Sequence, residues 1–171
     1  MKITLIFFLA LSARIIFIFF QGPSIEQYLI EDELMYWSNS LSFLKTGELN
    51  ESILHERMPS IFIYYKILLW FTSENHRFLL YMQAVIDTVS CFIIYRIASL
   101  IVPRHKFILF GFAALSPLMI ILSSQVLSET IFLFFFIFFI YFSIKVITQK
   151  NNLFLFIMLA GLSLGISTSF R

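Results

Sequence analysis

Residues 31 to 37 read EDELMYW, and their first three acids, Glu31, Asp32 and Glu33, are adjacent carboxylates in a chain that is 60% hydrophobic and only 13% charged. At a helix N-terminus such acids are favoured by the helix dipole, which is a sufficient structural explanation. Three neighbouring carboxylates nevertheless repel one another, and beside hydrocarbon their ionised forms are poorly solvated. The cluster therefore also suits a proton acceptor or a cation site. Which applies depends on the solvent around it and on the elements that hold it.

The solvent is a lipid bilayer. With 171 residues, 23 Phe and a mean hydropathy of +0.91, the composition is that of an integral membrane protein rather than a soluble domain. A spanning helix needs about 20 mostly apolar residues. The runs that qualify are about 3–20, 78–102, 107–122, 131–147 and 153–167, the third interrupted by Gly111 and Pro117. They lack the alternation of a barrel strand, so they must be helices that satisfy their own backbone groups. The first run contains Arg14 and continues into Gln21-Gly22-Pro23 without a small-residue cleavage site, which marks an uncleaved span rather than a signal peptide. The expected fold is an all-α integral membrane protein of about five transmembrane helices.

Orientation follows from the basic residues of short loops. Lys2 precedes the first span; Arg96, Arg104 and Lys106 surround one turn, and Lys145 and Lys150 another, with no acid beside them. Those sides are expected to be cytoplasmic, including the N-terminus. The long segment 21–77 is then extracytoplasmic, as are the Ser123–Glu129 turn and Arg171. Seven of the ten acids fall between Glu26 and Glu56, so any chemistry belongs to the outer face.

A connection of that length usually has structure of its own. Leu34, Trp37, Leu41 and Leu44 recur at helical spacing and Gly47 follows as a stop, predicting an amphipathic helix over Glu31–Lys45 on the bilayer surface. Pro59 opens a second run, Ile61–Phe71, too short to span, with Tyr64, Tyr65, Lys66 and Trp70 suited to the interface. It is expected to be re-entrant or interfacial.

The segment DELMYWSNSLSFLKTG resembles the first outer loop of the GT-C membrane glycosyltransferases, specifically the polyprenyl-phosphate-sugar-dependent family 39. This family holds protein O-mannosyltransferases and lipid A aminoarabinose transferases. The loop pattern is D-E-x-x-Y, ten residues, then Gly, matched by Asp32, Glu33, Tyr36 and Gly47. ERMPSIFIYY resembles its E-[KR]-x-P segment at Glu56, Arg57 and Pro59. LSPLMIILSSQVLSETIF resembles its proline-containing span with an acid at the next outer turn, through Pro117 and Glu129, although close relatives often carry Asp there. LAGLSLGISTSFR resembles its Gly-rich fifth span ending in a basic residue, through Gly161, Gly165 and Arg171. Family members are much longer, so the resemblance implies the N-terminal part of such an enzyme or a truncated copy.

The resemblance implies transfer of a sugar from a polyprenyl-phosphate donor to a hydroxyl on a protein or lipid acceptor, in a bacterial or archaeal plasma membrane. The leaving phosphate is a stable anion and requires no general acid. What the site must supply is a carboxylate that takes the acceptor's proton during inverting attack. Asp32 is assigned that role, with Glu33 as helper. Arg57, and secondarily Arg171, would hold the donor phosphate. Glu56 and Glu129 could coordinate a divalent metal ion, which some family members use and others do not; no other cofactor is implied.

The remaining polar residues have simpler readings. Arg14 and Asp87 are charges within spans and should pair inside the bundle. Gly161-x-x-x-Gly165 reads as a helix-packing face. Cys91 reads as a small buried hydrophobe. His55, His76 and His105 show no ligand spacing and should be solvated or interfacial. Nothing indicates nucleic-acid binding. The competing class is a non-catalytic, flippase-like or polyprenyl-lipid-binding subunit, but a transporter should concentrate its ionisable groups near the midplane, whereas here most acids lie outside the spans.

Overall fold

The computed structural model describes residues 2–21, 31–49, 58–149 and 151–170, and every regular element among them is an α-helix. In chain order these are α1 (Lys2–Phe20), α2 (Glu31–Thr46), α3 (Pro59–Phe71), α4 (His76–Ile101), α5 (Lys106–Ala114), α6 (Pro117–Ser123), α7 (Glu129–Thr148) and α8 (Leu153–Thr168). Helices α1, α4 and α7 are long and apolar enough to cross a bilayer, and the bent pair α5–α6 makes a fourth candidate. Helix α8 has 16 residues and rises about 24 Å, less than the roughly 30 Å hydrocarbon core. Among the described residues three to four candidate spans thus stand where the apolar runs suggested five.

Helix α4 is central: α1, α5 and α6 pack on it, as do α7 and α3, and α8 packs on α7. One cluster, at the end of the bundle carrying α2 and α3, joins Ile18, Tyr36, Phe62, Tyr65, Leu69, Leu79, Ala84 and Val126. Toward the other end Cys91, Tyr95 and Phe110 gather Ile3, Ile6 and Phe7 around them. Outward-facing Phe8, Phe112 and Phe154 are exposed, which fits acyl chains as their surroundings.

The break in the α5–α6 span has a chemical cause. Pro117 has no N–H with which to continue the helix, and the preceding Ser116 is extended at φ −61°, ψ 117°, as a residue before proline prefers. The two halves meet at 47°. Ala113 O and Ala114 O consequently lose their normal helical donors. The Ser116 amide, at 3.4 Å, and the Cys91 thiol, also at 3.4 Å, donate to Ala113 O. Arg14 Nη1 donates to Ala114 O at 2.9 Å. The same guanidinium meets Asp87 Oδ2 at 2.5 Å, Ala10 O at 2.8 Å and Cys91 Sγ at 3.2 Å. The expected Arg14–Asp87 pair is present, fully buried on the arginine side, and it also closes the gap opened by Pro117. Cys91 is buried as expected but belongs to this polar knot rather than to a purely apolar core.

Two expectations about faces need correction. Helix α2 ends at Gly47, φ 80°, whose N–H donates to Phe43 O at 3.1 Å, as an αL stop requires. Its innermost residues, however, are Glu33, Tyr36 and Ser40, while Leu34 is exposed. The helix packs on α3, with Tyr36 set against Phe62 and Tyr65 at ring separations of 5.9 and 6.3 Å. On α8, the buried positions are Phe156, Ala160, Ser163 and Ser167, and the space beyond Gly161 and Gly165 is open. The glycine face therefore packs against no other described part of the chain.

Candidate functional site

Of the acids that the sequence singles out, Glu33 reaches the turn between α6 and α7, residues 124–128. That turn has few hydrogen bonds of its own, and side chains from distant elements supply the rest. Glu33 is buried, and its Oε1 accepts from the Val126 amide at 2.8 Å. Tyr65 on α3 donates its hydroxyl to Leu127 O at 2.8 Å and accepts from Gln83 Nε2 of α4 at 3.0 Å. Gln21, just after α1, donates to Ser124 Oγ at 3.1 Å. Buried polar backbone left unpaired would cost about 1–3 kcal/mol per group, so these bonds lock α1, α2, α3 and α4 onto one turn. Burial raises the pKa of both Tyr64 and Tyr65 above the ordinary phenol value, and both act as neutral hydroxyls.

Beside this turn the start of α3 meets the end of α8. The Ser60 hydroxyl donates to Ser169 O. Phe170 stacks on Phe135 of α7 with a 6.1 Å ring separation and stands edge-on to Tyr64 at 6.0 Å. Ser167 donates to Phe132 O at 3.2 Å. Glu129, the first residue of α7, is exposed and lines a recess of about 190 Å³ together with Ser128, Phe132 and Leu133.

The expected site residues are distributed as follows. Asp32 is exposed and Glu33 buried, so of the two only Asp32 presents its side chain to solvent. Glu33 is held by backbone, which makes it a positioning group for α2. Glu56, Arg57 and Arg171 lie outside the described residues, as does the side chain of Glu31. Among the described residues no three His, Cys, Asp or Glu side chains come together as a metal site, and Glu129 is the described member of the expected pair. Of the two readings of His76, solvated or interfacial, the first is removed: it is buried, its ring edge-on to Trp37 at 5.1 Å. Tyr65, Gln83 and the Val126–Leu127 backbone were not singled out as site components. The available signal was Gln83 itself, a polar side chain inside an apolar run that must find a partner.

The fold and its apolar helices define an all-helical membrane protein. No family model, no characterised protein and no solved structure matches the chain.

Proposed function

We propose that the chain carries the extracytoplasmic reaction site of an inverting, polyprenyl-phosphate-sugar-dependent glycosyltransferase of the GT-C kind. One observation supports this reading above the others: the four stretches that carry the resemblance are joined around one turn. The start of α2 reaches it through Glu33 and Val126. Helix α3, two residues after Arg57, reaches it through Tyr65 and Leu127. The α6–α7 segment supplies the turn itself, and the end of α8 bonds to α3 through Ser60 and Ser169.

In this reading the acceptor hydroxyl attacks the anomeric carbon on the face opposite the phosphate. The carbon–oxygen bond to the phosphate breaks, the polyprenyl phosphate leaves with the electron pair, and the hydroxyl proton passes to Asp32. Glu33 fixes the start of α2 so that Asp32 is presented outward. Arg57 and Arg171 neutralise the departing phosphate, and Glu56 with Glu129 is the candidate pair for a divalent ion. The N-terminus is cytoplasmic, and α8 acts as the fifth span. The acceptor is a protein or lipid hydroxyl.

The test is transfer from polyprenyl-phosphate mannose or aminoarabinose in proteoliposomes of the complete protein. Asp32→Asn, nearly isosteric but unable to take the proton, is expected to reduce turnover by about 10² to 10⁴, and Glu31→Gln far less. Equal, small losses at both positions overturn the assignment. The burial of Glu33 favours a second reading, a polyprenyl-lipid-binding subunit in which the acids serve only the fold. Under it every variant binds the lipid and none transfers sugar.

A further inference from the structure

The groove between α2 and α3 has a composition that the proposed reaction does not use. It is lined by Phe43, Leu44, Ile63, Lys66, Ile67, Trp70 and Phe71 and encloses about 480 Å³. Ile63, Ile67 and Trp70 follow the i, i+4, i+7 spacing of one helical face and are exposed together with Phe71. A helix that turns such a stripe outward has to meet acyl chains, and an exposed indole settles at the level of the headgroups. Within this apolar surface stands a single ammonium. Lys66 Nζ lies 3.6 Å from the centroid of the Phe43 ring, and it forms no ion pair with any described acid. The nearby Lys45 is already engaged with Glu74 at 3.1 Å.

A half-buried cation over an aromatic face gains from the ring quadrupole, but an anion is what would neutralise it. The complementary occupant is an amphiphile with apolar chains and a negative head. We propose that this groove seats one anionic phospholipid, its phosphate against Lys66 and its chains along Ile63, Ile67 and Trp70. The seat is distinct from the α6–α7 turn because it lies on the other face of α3: Tyr65, which bonds that turn, is buried, whereas Ile63, Ile67 and Trp70 around Lys66 are exposed. A zwitterionic phospholipid offers the same chains, but its own ammonium competes for the phosphate. The groove therefore selects on net charge, and one ammonium beside an anionic headgroup supports about a fivefold preference.

Trp70 is the natural reporter. With Trp37→Phe as background, Trp70 is the sole indole of the 171-residue chain, which has two tryptophans. This chain is reconstituted in phosphatidylcholine bilayers containing a minor fraction of brominated phosphatidylglycerol or, separately, of brominated phosphatidylcholine. Half-quenching is expected at about fivefold less brominated phosphatidylglycerol than phosphatidylcholine. Lys66→Gln is expected to remove the difference, and Lys66→Arg to keep it, since charge alone is required. Equal quenching by the two lipids in the parent overturns the proposal, whether or not Lys66→Gln inserts normally. So does a preference unchanged in Lys66→Gln, or quenching that disappears as protein density rises, which would show a second copy covering the groove.

Discussion

Arg14 shows how a single intramembrane charge comes to be tolerated. Its guanidinium serves four acceptors on α1, α4 and the end of α5, so removing it leaves both Asp87 and Ala114 O uncompensated. Arg14→Gln is expected to lower the unfolding free energy by about 3 kcal/mol. This is the low end of the range for a broken buried pair in soluble proteins, because separated helices in a bilayer also find partners. Replacing both charges, with Arg14→Leu and Asp87→Leu, normally restores stability where only an ion pair is at stake. Here Ala114 O still lacks a donor, so the double variant should remain about 1–3 kcal/mol below the parent. Steric trapping or denaturant titration in mixed micelles measures both, and full recovery in the double variant would show that the bond to Ala114 is dispensable. The Arg14–Asp87 pair was legible in the sequence, since two opposite charges in apolar runs must meet. Its third partner was not, because Pro117 announces a missing donor without saying which side chain replaces it. Glu33 poses the complementary case. Glu33→Gln keeps an oxygen for the Val126 amide and should preserve α2, whereas Glu33→Ala should speed hydrogen exchange at Val126 by about tenfold or more, the equivalent of one lost buried bond. Slow exchange in both variants would remove the positioning role.

At the scale of elements, starts and stops were readable because they depend on local chemistry. Pro59 opens α3, Pro117 breaks the third apolar run, and Gly47 ends α2 in a left-handed turn. Gly47→Ala should therefore destabilise the end of α2 by about 1 kcal/mol, the strain of placing a Cβ at positive φ. Nothing lies within 4 Å of the added methyl, so strain is the whole effect, and faster amide exchange confined to the last turn of α2 is its signature. Faces were harder to read than ends. Leu34 fitted the apolar stripe of α2 by spacing, yet the helix is rotated so that Glu33, Tyr36 and Ser40 face inward. Spacing identifies a periodic stripe but not the polar groups with which a neighbour will reward it, and the Val126 amide that Glu33 serves belongs to a turn some ninety residues away. The Gly161 and Gly165 face failed similarly: the motif permits close helix approach, and whether a helix arrives depends on the whole bundle.

For the whole molecule, the notable asymmetry is charge. Lys106 lies beside Tyr95 and Phe107 and Lys145 beside Tyr141 and Phe156, at the end where α1 begins. Asp32, Glu33, Glu74 and Glu129 belong to the opposite end with the α6–α7 turn, where Lys45, Lys66 and Arg77 also lie, so it is the acids that are segregated. Folding alone does not require this segregation, because bilayer-spanning helices pack through their apolar and small residues. Insertion does, since basic short loops are retained in the cytoplasm. The acidic end should therefore face outward, and the chain provides a clean background for testing it: its single cysteine, Cys91, is fully buried. Glu48→Cys and Arg104→Cys each place a thiol at an exposed position, one at either end. A membrane-impermeant maleimide added to intact cells should label the Glu48→Cys variant, label the Arg104→Cys variant only after permeabilisation, and leave the parent unlabelled throughout. The reverse pattern would put Asp32 and Glu129 in the cytoplasm. It would also remove the outer-face transfer reaction while leaving the helix packing, the Arg14 knot and the Lys66 groove intact, because none of those depends on which side of the membrane the acids face.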